Sequence, residues 1–74
     1  MITYIDSDIT KLSLTVLDDS EIVVKEFDTE QEFKDYFVDN NILLLVSNAR
    51  SYNTRISDTQ IVQDYSNLKS RFNL

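Results

Sequence analysis

Lys11-Leu12-Ser13-Leu14-Thr15-Val16 alternates strictly, with Leu12, Leu14 and Val16 on one face. Period two with β-branched enrichment predicts a half-buried strand. Asp18-Asp19-Ser20 follows as a turn cluster, and Glu21-Ile22-Val23-Val24-Lys25-Glu26-Phe27 reads as the returning strand. The two form a hairpin, although the favoured Asn-Gly or Asp-Gly turn is missing. Ile2–Ile5 predicts a further short strand, ended by Asp6-Ser7-Asp8.

The period then changes. Thr29-x-x-Glu32 is a capping-box pattern, and Phe33, Tyr36 and Phe37 recur at i, i+3 and i+4, so a helix is predicted from Thr29 to Asn40. Asn40-Asn41 stops it, asparagine being the best substitute for glycine in a left-handed cap. Ile42-Leu43-Leu44-Leu45-Val46 is apolar throughout and reads as a strand buried on both faces. Glu21 to Val46 then forms a right-handed crossover between parallel strands. Ser47 to Arg55 is polar and reads as a loop or ragged edge strand. Ile56 and Ile61 flank Ser57 at staple positions and Gln60 closes the box, predicting a second helix over 58–72. Its stripe is Ile61, Val62, Tyr65, Leu68 and Phe72. The expectation is α+β: one domain spanning 1–74, in the order β-β-β-α-β-α. Two helices would pack on a small mixed sheet with 42–46 central.

Composition narrows the chemistry. The 74 residues include no glycine, proline, cysteine, histidine or tryptophan. Phosphate-cradling loops of the Walker or dinucleotide type need glycine at positive φ and at close backbone approach. Zinc fingers, Ser-His-Asp or Cys-His nucleophiles, haem axial His or Cys and disulfides need residues the chain lacks. No cofactor is expected. A core this small, with neither disulfide nor zinc, favours a permanent partner or a homodimer. The longest apolar run is five residues, far short of a membrane span. Met1-Ile2-Thr3-Tyr4 lacks the start of a secretory signal, and the expected location is cytoplasmic.

Charge sharpens the picture. The net charge is −6, and it is unevenly placed: residues 1–40 hold eleven acids and three bases, residues 41–74 two acids and four bases. On the first helix Glu32, Asp35 and Asp39 fall at i, i+3 and i+7, one narrow stripe beside the apolar face. Successive members rise about 4.5 and 6 Å, on the scale of phosphate spacing along a nucleic-acid strand within a factor of about two. With Asp18, Asp19 and Glu21 of the hairpin, the stripe suits a basic groove on a nucleic-acid-binding protein. It also suits a plain solvated face that keeps a small protein soluble. Tyr52, beside Arg50, Asn53 and Arg55, is a candidate interface anchor. Arg50 and Arg55 in a chain of pI about 4.3 do not make a nucleic-acid site.

Two other readings stand beside this one. Asp6 and Asp8, or Asp18, Asp19 and Glu21, offer hard oxygen ligands for Mg²⁺ in a nuclease-like reaction. Turns also collect aspartates for backbone reasons. The stretch from Tyr4-Ile5-Asp6-Ser7-Asp8 through Leu12-Ser13-Leu14-Thr15-Val16 to Asp18-Asp19 resembles the opening hairpin of ribonuclease H-like and actin-like domains. That resemblance covers about the first 46 residues, and implies a helix and a parallel strand after the hairpin. It would place Asp6 at a leading metal- or phosphate-site aspartate. The glycines that follow that aspartate in those families are absent here, and so are the later strands. A structural or assembly subunit is a third class.

Residues with AT-rich codons (Phe, Tyr, Met, Ile, Asn, Lys) number 26 against four with GC-rich codons (Gly, Ala, Arg, Pro), which suggests an AT-rich source such as a phage or mobile element. The function expected is a small acidic inhibitor or adaptor rather than an enzyme. Its role would be of the anti-CRISPR or nucleic-acid-mimic kind, blocking a basic surface of a partner protein.

Overall fold

A computed structural model describes residues 1–74. Three strands, β1 (Ile2–Asp8), β2 (Ser13–Asp18) and β3 (Glu21–Glu26), form an antiparallel sheet in the order β1-β2-β3. Tyr4, Val16 and Val23 stand opposite one another across it and share its inner face. A bulge between Tyr4 and Asp6 inserts Ile5 into β1 and shifts the register. The hairpin turns on Asp19-Ser20, and Asp19 takes the left-handed conformation at φ 55°.

Three helices follow. α1 (Glu30–Asp39) begins at Thr29, whose hydroxyl accepts from the Glu32 amide at 3.2 Å, and Glu32 Oε2 accepts in return from the Asp28 amide at 3.3 Å. α2 (Val46–Tyr52) is short and has no side-chain cap at its start. α3 (Asp58–Arg71) is capped by Ser57, which accepts from the Gln60 amide at 3.2 Å. Phe33 and Phe37 of α1 and Leu68 and Phe72 at the end of α3 meet Tyr4, Leu14, Val16 and Ile42 in one buried cluster. The rings interlock: Phe33 and Phe37 each contact Phe72, and Tyr65 lies edge-on to Tyr4 at 5.3 Å.

The fold is α+β, but its element order is β-β-β-α-α-α and it carries three helices, not two. Segment 42–46, expected as the central strand, is no strand. Leu43 alone makes one parallel bridge to Thr3, on the free edge of β1. The Tyr4 amide donates to the Leu43 carbonyl at 2.7 Å and the Leu43 amide to the Ile2 carbonyl at 3.3 Å. Pairing stops there for two reasons. The bulge redirects β1 beyond Tyr4, and the Ile5 carbonyl is taken by the side-chain amide of Asn53 at the end of α2. The chain enters α2 at Val46, so the region 47–55 expected as loop is mostly helix, with Ala49 fully buried. The crossover between parallel strands shrinks to that one bridge. Val62, expected on the buried stripe of α3, is 44% exposed.

Phe33→Ala is expected to cost about 3–5 kcal/mol, most of the stability of so small a protein, whereas Val24→Ala on the sheet rim should shift the urea midpoint little. Tyr4 supplies a pH signature. Burial pushes its phenol from 10.0 up to about 12, with the Ser7 hydroxyl bond working the other way. The core favours the neutral phenol, so that stability is complete below pH 10 and is lost as pH rises through 12. Urea titrations at rising pH should show about 3 kcal/mol draining across that window. In Tyr4→Phe the alkaline slope should flatten.

Candidate functional site

α1 packs its Phe33 and Phe37 side inward and leaves Glu32, Asp35 and Asp39 exposed. Its other flank is tied to α3, where Arg71 forms a two-point ion pair with Glu30, the longer contact being 3.2 Å. Glu30 holds the Arg71 guanidinium above its ordinary pKa through that hydrogen bond and its charge. The stripe has no such partner. Glu32 serves the cap, and the Asp35 carboxylate accepts from the Gln31 amide at 2.8 Å. Of the thirteen acids in the chain only Asp19, Glu30 and Asp58 are ion-paired, so the stripe is electrostatically unanswered.

The hairpin acids are exposed as well, and Asp19 reaches the N-terminal amine at 3.5 Å. Asp18 and Glu21 stand directly opposite each other in the β2–β3 register. Like charges facing across strands are destabilising. Tyr36 joins hairpin and helix: partial burial raises its phenol pKa first, and the nearby Asp18 carboxylate raises it further. Lys25 of β3 lies 5.5 Å from the Tyr36 ring centroid. Asp18, Tyr36 and Lys25 therefore share one side of the molecule with the base of α1. The sequence placed Tyr36 on the core stripe, and its role as the joint follows only from the way α1 lies on the hairpin.

Two of these acids stand where local physics opposes them. Asp39 occupies the last turn of α1, which contains no base, so it faces the negative end of the helix dipole. Asp18 opposite Glu21 is the second case.

Tyr52 is half exposed and lies elsewhere. It ends α2, which packs on β1 and α3 at the sheet edge away from β3, and it lines a shallow cleft of about 170 Å³ with Asn53, Arg55 and Ile56. The candidate metal residues do not converge: nowhere do three acidic side chains gather as ligands. Asp8 instead accepts from the Thr10 hydroxyl at 2.6 Å and its amide at 3.0 Å, bonds that lower its pKa. Asp6 accepts from the Ser7 amide at 2.9 Å. Asp8 is thus a turn-forming aspartate, whereas Asp6 sits within β1 opposite Thr15.

No family model, no curated protein and no solved structure matches the chain. Of the order implied by the resemblance to ribonuclease H-like and actin-like domains, the hairpin and first helix are present, and the parallel strand is reduced to the Leu43 bridge.

Helix-cap variants separate structural from unanswered acids. Thr29→Ala should lower stability by about 1 kcal/mol. Asp39→Asn should raise it by about 0.3–0.5 kcal/mol. Both are read from urea denaturation midpoints.

Proposed function

We propose that this protein is a small acidic inhibitor or adaptor that covers a basic, nucleic-acid-binding surface of a partner protein. One observation carries the reading: acids stand at positions where they oppose the fold, Asp39 at the C-terminal end of α1 and Asp18 facing Glu21. Neither acid helps the fold where it stands. A cationic partner reverses the sign of both penalties. Glu32, Asp35 and Asp39 would stand in for phosphates, with Asp18, Asp19 and Glu21 widening the footprint. An anti-defence protein of a phage or mobile element, of the anti-CRISPR kind and acting in the host cytoplasm, suits this small size, AT-rich composition and acidity.

Affinity capture from a host lysate followed by mass spectrometry identifies the partner. Binding to it should weaken as salt rises, because exposed charges are screened over about 8 Å at physiological ionic strength. Reversing Glu32, Asp35 and Asp39 to lysine together should weaken binding at least about tenfold. The Asp35→Lys/Asp39→Lys double variant spares the Glu32 cap and should act in the same direction. Unchanged affinity and salt dependence in the folded variants would reduce the stripe to a solvated face.

A further inference from the structure

β3 is a free edge, paired with β2 on one side only. The Phe27 amide donates to the Leu12 carbonyl at 2.9 Å, which sets the parity of the ladder. Antiparallel pairs alternate between bonded and non-bonded, so Glu21, Val23, Lys25 and Phe27 turn their backbone groups toward β2. Ile22 and Val24 turn theirs outward. The side chains of Ile22 and Val24 lie on the outer face of the sheet, 47% and 62% exposed. β3 has neither proline nor bulge to blunt its edge; its shortness and its charges, Glu21, Lys25 and Glu26, are the devices it carries.

We infer that β3 pairs antiparallel with β3 of a second copy of this chain, about a two-fold axis through Val23. Outward backbone at Ile22 and Val24 matches that axis, because Ile22 of each copy then exchanges both backbone bonds with Val24 of the other. The side chains agree. Val23 meets Val23, Ile22 meets Val24 twice, and Glu21 meets Lys25 twice. Opposite charges directly across strands are favourable. Neighbouring registers lose this match: an axis through Val24 sets Lys25 against Val23 and Ile22 against Glu26, and one through Lys25 sets lysine against lysine. Lys25 therefore selects the register. It is free to do so, being exposed at the rim and held only over the Tyr36 ring.

The product is a six-stranded sheet of two copies, with the α1 helices on the same face. Its seam is a short strand pair, at the small end of specific interfaces, where weak, transient association is the rule. Each copy carries −6, and their long-range repulsion is screened by salt more than the Glu21–Lys25 contacts are. Dimerisation should strengthen as salt rises, the opposite of the salt dependence expected for a basic partner on the acidic stripe. The two readings thus fail separately.

Sedimentation equilibrium over a concentration series is the experiment. The unmodified chain should show a monomer–dimer equilibrium that tightens with salt. Glu21→Lys and Lys25→Glu place like charges at both seam positions, and each folded variant should raise the dissociation constant at least about tenfold. Mixed together, the two variants should form a one-to-one heterodimer, because lysines of one chain then face glutamates of the other. The double variant Glu21→Lys/Lys25→Glu should recover the homodimer. Amide exchange in the unmodified protein needs no variant, and Ile22 and Val24 amides should slow with concentration. A monomer at about 500 µM would overturn the inference. So would a dimer indifferent to both reversals, or one that leaves the Ile22 and Val24 amides unprotected.

Discussion

Phe72 lies just past the end of α3, and its ring meets Phe33 and Phe37 of α1 at centroid distances of 5.2 and 6.0 Å. That junction closes the chain on itself. It draws the C-terminal end of α3 against the first helix, and both press on Tyr4, Leu14 and Val16 of the sheet. The chain has no cysteine to form a disulfide, and nowhere do three acidic side chains gather as metal ligands. Aromatic burial is therefore what stabilises the molecule, and the positions of the remaining elements follow from it. β2 is central and commits Leu14 and Val16 to the core; β3 is left at the rim, where only Val23, with Phe27 just beyond the strand, is partly buried. Charges and apolar side chains that find no place in the core collect along that rim.

A chain without glycine must still turn. Four residues take positive φ, namely Leu12, Asp19, Asn41 and Asn73. Asp and Asn bear that conformation with local side-chain hydrogen bonds, so three of the four are chemically natural. Leu12 has no such relief and costs about 1–2 kcal/mol. It is held from both sides: its amide donates to the Ile9 carbonyl and its carbonyl accepts from Phe27, while its side chain packs on the core cluster. The β1–β2 connection is thus enforced by the sheet rather than encoded by its own residues.

The same distinction explains which elements were legible in the sequence. α1 and α3 declare themselves, because Thr29/Glu32 and Ser57/Gln60 are caps whose hydrogen bonds form locally. The hairpin is legible through Leu14 and Val16 for the same reason. Segment 42–46 was misread because a continuous apolar run reports burial and not pairing. Ile42 is indeed buried, yet it belongs to the core beneath α1, while Leu43 and Leu45 are exposed. Its failure as a strand depends on the bulge at Ile5 and on the Asn53 amide, contacts between residues 48 apart. α2 carried almost no signal, since only Val46 and Ala49 mark its inner side. At the candidate site the acids were legible as a pattern, but the joint at Tyr36 and the penalty on Asp18 needed the β2–β3 register.

Glu21 belongs to both proposed surfaces, and this makes them compete. Set against Lys25 of a second copy it is neutralised, and the pair withdraws it from the acidic footprint. Left free, it repels Asp18 and adds to the field of α1. A basic partner lowers that repulsion and leaves the edge of β3 exposed; a second copy satisfies the edge and leaves Glu32, Asp35 and Asp39 unanswered. Linkage makes the competition reciprocal: whatever binds the acidic side must loosen the dimer by the same factor that dimerisation weakens the binding. Salt acts on the two equilibria with opposite sign, so at fixed concentrations of chain and partner a change in ionic strength moves the balance from one toward the other.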